Sequence, residues 1–319
     1  MYKVGVDLGG TNIAVGLVDK NYRIIVKKSA PSGAKRSADA IVSDIAALCL
    51  AVCQEKGLSI HEIENVGIAT PGIADCDKGE VIYSCNLPFR DYPLTSVIAK
   101  KLGLDKSRVT LANDANAAAW GEAVAGAAKG SSDSVMITLG TGVGGGVIVS
   151  NKIYTGFNFA GAELGHMVIE VDGAPCTCGR RGCWEAYSSA TGLIRMTKEK
   201  IEECRLKGIK TSMLSEKHIT GRTACDAMRA GDAAAKEVYD QYVRYLAAGI
   251  TNVVNIFQPQ IISLGGGISN EGQPLIDALL PLVRKEQYGS KWLDGSKLTE
   301  LRIARLGNDA GIIGAAALA

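Results

Sequence analysis

His166, Cys176, Cys178 and Cys183 bring one imidazole and three thiols into a single short stretch of chain. In deprotonated form these are the soft ligands of a closed tetrahedral zinc site. The three cysteines fall in Cys-Thr-Cys-Gly-Arg-Arg-Gly-Cys, where Gly179 and Gly182 let the backbone wrap around one ion. A Cys-x-Cys disulfide would close a strained ring, so a metal is the expected partner of these thiols. Carboxylates flank the ligands at Glu163 and Glu185, and a bound ion would hold the two acids in fixed relation. No second ligand pair or basic helix follows, which points to the wall of a pocket rather than a nucleic-acid finger.

Three glycine turns offer a different chemistry. Asp7-Leu8-Gly9-Gly10-Thr11-Asn12 ends an apolar run with a carboxylate and then two residues lacking a Cβ. Backbone N–H groups in such a turn can approach phosphate closely, and Thr11 adds a hydroxyl. Asp7 reads as the partner of hydrated Mg²⁺, since a bare carboxylate repels phosphate. A plain hairpin with glycine at positive φ is the alternative. Gly140-Thr141-Gly142-Val143-Gly144-Gly145-Gly146 repeats the offer. It lacks the lysine and hydroxyl residue of a Walker loop, and no helix follows as in a dinucleotide fingerprint. Two such hairpins suggest a triphosphate gripped from both sides. Gly265-Gly266-Gly267 provides flat backbone for adenine or ribose, or simply a strand-to-helix turn. Asn113-Asp114 closes a strand and opens a helix, so Asp114 is either a cap or a general base. As a base it would accept a hydroxyl proton while the O–P bond forms, without needing a raised pKa.

These residues sit at the ends of regular elements. Residues 2–19 read as strand, turn and strand, with a third strand at 24–28 and a helix over 37–56 capped by Ser37. A buried strand at 65–69 runs into Thr70-Pro71-Gly72. A helix over 92–102, a strand over 108–111 and an alanine-rich helix from 113 to about 128 follow. A second cycle begins with strands at 135–139 and 147–149 around the second glycine turn. Helices over 193–206 and 233–257, a strand over 261–264 and a small-residue helix over 310–319 complete the chain. The class is α/β with two related halves. The predicted division gives residues 1–112 plus about 306–319 to a small N-terminal α/β domain. Residues 113–305 form a larger one carrying the zinc segment, with a cleft between the two.

The 319 residues carry 35 basic and 33 acidic side chains, a formal charge of +2, which argues against a dedicated polyanion binder. No secretory signal and no apolar run of membrane-spanning length is visible, so the expected setting is the cytoplasm with reduced thiols. Cys49 and Cys53 read as small core residues; Cys76, Cys85, Cys204 and Cys225 have no partner at ligand spacing.

Taken together, the motifs resemble the ROK sugar kinases, in particular their bacterial glucokinase branch within the actin-like ATPase superfamily. The resemblance spans the chain and is most specific in Glu163-x-Gly165-His166 and in Cys-x-Cys-Gly-x-x-Gly-Cys-x-Glu, ending at Glu185. It implies the actin-like (ribonuclease H-like) fold and ATP- and Mg²⁺-dependent phosphorylation of the glucose 6-hydroxyl, with Asp114 as the catalytic base. Asn113, Glu163, His166 and Glu185 would meet the other sugar hydroxyls, with Gly72 and Asn86 lining the pocket. His166 would serve zinc through one nitrogen and sugar through the other. Phosphate and adenosine contacts would fall on Asp7, Gly9, Gly10, Thr11 and Asn12, on Gly140, Thr141, Gly142 and Gly144, and on Gly265, Gly266 and Gly267. Asn12 departs from the lysine common among relatives. The resemblance also implies a homodimer or homotetramer, while the near-balanced charge and the lack of a long apolar run argue against a nucleic-acid or membrane partner. Another acceptor (N-acetylglucosamine, N-acetylmannosamine, mannose or fructose) is the nearest alternative. A sugar-responsive repressor of the same family is a further one, disfavoured because the first strand begins at residue 2.

Overall fold

Alternating buried residues draw Tyr2–Leu8 (β1) and Asn12–Asp19 (β2) into an antiparallel hairpin, with Leu8 opposite Ile13. Ile24–Pro31 (β3) pairs antiparallel with β2, and Val66–Thr70 (β4), buried throughout, runs parallel to β1. Ile73–Asp75 (β5), Glu80–Tyr83 (β6) and Arg90–Tyr92 (β7) form a small antiparallel sheet that the sequence pattern does not mark, its strands being too short for an alternation to register. Val109–Asn113 (β8) completes the first main sheet parallel to β4. The second main sheet uses Ser134–Leu139 (β9), Val143–Val149 (β10), Lys152–Ile153 (β11), Ile261–Gly265 (β12) and Glu300–Ile303 (β13). The strand orders are β3-β2-β1-β4-β8 and β11-β10-β9-β12-β13, so each sheet places its third, second, first, fourth and fifth strands in turn. The two related halves expected from sequence share one topology. This computed structural model describes residues 1–318; Ala319, expected in the last helix, lies outside the described residues.

Ala38–Glu55 (α1) starts where the Ser37 hydroxyl accepts the Ala40 N–H at 3.3 Å, and it buries Ile41, Ile45, Cys49, Val52 and Cys53 against the first sheet. Leu94–Leu102 (α2) begins two residues later than expected. Pro93 disfavours helical backbone at the residue before it, so Tyr92 ends β7 instead. Asp114–Ala125 (α3) and Ala310–Ala316 (α9) are small-residue helices. A Cβ at Gly5 or Gly67 would collide with the carbonyl oxygen of Ile312 or Ala315, and one at Gly314 with that of Ala117. Backbone thus meets backbone where α9 lies on β1, β4 and α3.

The remaining helices are Glu185–Ser188 (α4), Ala190–Lys207 (α5), Thr223–Arg229 (α6), Ala233–Phe257 (α7) and Gln273–Glu286 (α8). The buried face of α7 repeats through Val238, Tyr242, Leu246, Ile250 and Val253, the spacing expected of a helix packed on one side. Trp184 is fully buried, its ring filling the space a side chain at Gly249 would take, and its Nε1 donates to Tyr245 O at 3.1 Å.

The chain divides into two compact units. One holds Met1–Met136, Gly146–Ala162 and the segment from Ala304; the other holds Ile137–Gly145 and Glu163–Ile303. This cut differs from 112/113: α3 goes with the first unit because its glycine face is locked onto α9.

Candidate functional site

In the first unit the site is built at strand ends. Asp7 of β1 pairs with Ala69 of β4, and Thr70 of β4 with Asn113 of β8, so three parallel strands finish at one edge. That carboxyl edge is where open α/β sheets receive ligands. Asn113 is the cap of α3: its Oδ1 accepts Ala115 N at 2.9 Å and Asn116 N at 3.2 Å, while its Nδ2 donates to Gly72 O at 3.0 Å. Asp114 is therefore the first helical residue, not the cap, and its Oδ1 accepts Ala115 N at 2.8 Å.

Burial raises the Asp114 pKa, with the Ala115 N–H opposing. Asp7 is pushed up to about 6, first by burial and then by the charge of Asp114, with Lys27 pulling the other way. Two half-buried carboxylates, one of them made harder to ionise by the other, suit a divalent cation. Space is tight there: a Cβ at Gly311 would lie 2.7 Å from Asp7 Oδ2.

The Gly9-Gly10 turn closes with Gly9 N donating to Asn12 O at 2.8 Å, and neither glycine takes left-handed φ. A Cβ at Gly10 would crowd Asn86, approaching its Cβ to 3.2 Å. Thr11 and Asn12 are exposed. Gly72 has φ +97, and a Cβ there would collide with Tyr83 O. Gly72, Asn113 and Asp114 are thus brought together, as are Gly10 and Asn86.

In the second unit His166 Nδ1 lies 3.7 Å from Cys176 Sγ, and Cys178 Sγ lies 3.7 Å from Cys183 Sγ. All four ligand atoms fall within 4.8 Å of one another. With Zn–S bonds of about 2.3 Å, the edge of a tetrahedron is about 3.8 Å. The donor set and its spacing fit zinc, and His166 turns Nδ1 to the cluster as a ligand with two jobs requires. Trp184, next to Cys183, pins this knuckle to α7 through the Tyr245 bond.

The Gly140–Gly146 hairpin adjoins the knuckle. Gly140 N donates to Gly142 O at 3.0 Å and Ala190 N to Gly140 O at 2.8 Å. Val143 N donates to Glu185 Oε2 at 2.9 Å, and the Thr177 hydroxyl to Glu185 Oε1 at 3.2 Å. Residues expected to serve phosphate (Gly142), sugar (Glu185) and metal (Cys176) therefore share one locale. Glu163 is exposed at the start of the 3-10 turn Leu164–His166.

Gly265 ends β12, and Gly266 follows with φ +84, a Cβ there lying 2.5 Å from Leu139 O. A cavity of about 420 Å³ joins Gly140 and Thr141 to Gly267, with Leu139, Ala190 and Ile268 as apolar wall. The second and third glycine turns thus line one pocket. Arg222, Asn270 and Glu271 also line it and carry no sequence signal. Arg222 arrives from a distant helix start, and nothing in its neighbours marks it. No described helix is long and apolar enough to cross a membrane.

Two sheets of one strand order, each presenting a glycine hairpin between its first two strands, define the actin-like ATPase fold. Residues 3–319 match the ROK family. A glucokinase of Streptomyces coelicolor is 35% identical over 320 residues, covering 99% of this chain and 96% of that protein. A xylose repressor of Bacillus spizizenii is 30% identical, over 98% of this chain and 75% of its own length. A ROK family glucokinase from Streptomyces griseus, solved in complex with glucose and AMPPNP, superposes with a TM-score of 0.77. It is 34% identical and covers 100% of this chain and 99% of that one. The chain belongs to the ROK family.

Proposed function

We propose that this ROK protein is an ATP-dependent glucokinase transferring a phosphoryl group to the 6-hydroxyl of glucose. The observation that carries the reading is the end-to-end similarity to a glucokinase solved with glucose and AMPPNP. Asp114, buried at the start of α3, accepts the proton of the attacking hydroxyl; its raised pKa brings it nearer the working pH of a general base. Asn113 holds that helix start in place through its cap and its bond to Gly72 O. Glu163, His166 and Glu185 hydrogen-bond the remaining hydroxyls, and Asn86 and Gly72 bound the pocket. Gly9, Gly10, Thr11 and Asn12, together with Gly140, Thr141, Gly142 and Gly144, offer N–H and hydroxyl donors to phosphate oxygens. Gly265, Gly266 and Gly267 carry the adenosine wall. Asp7 would hold Mg²⁺, which supplies charge neutralisation to the phosphates when bound. His166, Cys176, Cys178 and Cys183 would hold zinc, which braces the sugar-reading segment.

A panel of hexoses in a coupled ADP-release assay tests this. Glucose is expected to be the best acceptor. Activity on N-acetylmannosamine or N-acetylglucosamine with none on glucose would reassign the acceptor, and no activity on any hexose would refute the kinase.

A further inference from the structure

Glu185 faces two ways. Its Oε2 accepts the Val143 amide at 2.9 Å; its Oε1 accepts the Thr177 hydroxyl at 3.2 Å and lies 3.7 Å from Cys176 Sγ. A Cβ at Gly142 would press on Oε2, so a side chain there would have to turn the carboxylate aside. A carboxylate therefore rests against the turn whose backbone donors are offered to phosphate, and it already holds one N–H at that turn. The segment bearing Glu163 and His166 leans on the same hairpin. A Cβ at Gly145 would lie 2.6 Å from Leu164 Cδ1, and one at Gly165 would collide with Val143 O. Gly142 and Gly145 thus lie against the side chains of Glu185 and Leu164, and the hairpin backbone at Val143 lies against Gly165. Like charges brought to one turn repel.

Resting on the glucokinase reading above, we infer that Glu185 is a latch on the phosphate hairpin. In the sugar-free protein its carboxylate occupies the Val143 amide and repels the nucleotide's phosphates. A hexose that draws the carboxylate onto its own hydroxyls exchanges that N–H···O bond for an O–H···O bond and releases the amide to phosphate. Thr177 tethers the second oxygen, so the side chain turns without leaving. Glu185 is then a positioning residue for the nucleotide in addition to its contact with sugar. Sugar and nucleotide bind with positive coupling, and the hairpin takes up phosphate poorly until an acceptor is present.

Calorimetry on the full-length, zinc-loaded protein tests this, with Mg²⁺-AMPPNP as nucleotide and 6-deoxyglucose, which has no acceptor hydroxyl, as sugar. The native dissociation constant for AMPPNP should fall about tenfold when the sugar is added. Glu185→Gln keeps the shape and can still accept from Val143 but carries no charge. It should bind AMPPNP about tenfold more tightly than native protein with no sugar present. A latch is ruled out if Glu185→Gln stays within twofold of native in the sugar-free titration, since a role confined to sugar would leave that value unmoved. It is equally ruled out if native affinity ignores the sugar, a measurement that needs no variant and stands even if the substitution unsettles the knuckle. Native protein that binds no nucleotide at all would instead refute the glucokinase reading.

Discussion

Asp7 and Asp114 meet at one edge of the first sheet, and the charge of Asp114 makes Asp7 harder to ionise. An unfolded aspartate gives up its proton near 3.8, whereas Asp7 in the folded protein keeps it to about 6. The folded form binds more protons between those values, so stability falls as pH rises through that window and stays reduced above it. Asp7→Asn should therefore stabilise the ligand-free protein at pH 8 by roughly 1–3 kcal/mol. The gain should vanish near pH 3, as thermal melts at the two pH values would report. The same substitution removes the proposed Mg²⁺ partner, so activity should fall while stability rises. Asp114→Asn should lower turnover by about 10²–10⁴-fold. Glucose affinity should change little, and steady-state kinetics with calorimetry separates the two. Both residue types were legible in sequence, because a carboxylate at a strand end beside glycine or asparagine is uncommon chemistry. The electrostatic cost to Asp7 was not, since it depends on strands distant in sequence ending at one edge.

Elements carry the next set of consequences. The knuckle predicts about one zinc per chain by elemental analysis of native protein. Cys178→Ala should lower that content and the melting temperature together. Retained zinc in the variant would show that Cys178 is not a ligand. The clustering of His166, Cys176, Cys178 and Cys183 was readable from spacing alone, because these four residues lie close along the chain. The contact between knuckle and hairpin through Glu185 was not, because Val143 and Glu185 are joined only by folding. Helix α9 makes the parallel case. Gly67→Ala would drive a methyl into the Ala315 carbonyl and should cost at least about 2 kcal/mol in urea unfolding. The sequence shows a helix of small residues there; only the fold shows that β1, β4 and α3 need glycines opposite it.

At the scale of the whole molecule, two sheets of one strand order turn the repeated glycine hairpins into structurally equivalent features, each between the first two strands of its sheet. The sequence hinted at this repetition through motifs rather than residue identity. The small sheet of β5, β6 and β7 and the pocket residues Arg222, Asn270 and Glu271 escaped it, being short elements or isolated arrivals. Ligands that bind only folded protein stabilise it by mass action. Glucose or Mg²⁺-AMPPNP at 100 times its dissociation constant should each add about 2.7 kcal/mol, visible as a raised melting temperature. A ligand that leaves the melt unmoved at saturating concentration does not bind the native protein.

Local chemistry was the sequence's own contribution: four soft side chains at zinc-ligand spacing, carboxylates at a strand end and a helix start, and glycines where backbone must turn or approach. Those are properties of residues near one another along the chain, where spacing and side-chain type suffice. Tertiary structure alone decided that Asn113 caps the helix and leaves Asp114 inside it, that the second and third glycine turns share one cavity, and that Glu185 lies on the second glycine hairpin. Each of these depends on segments brought together by burial of the two sheets and their helices. No local pattern encodes where such segments meet.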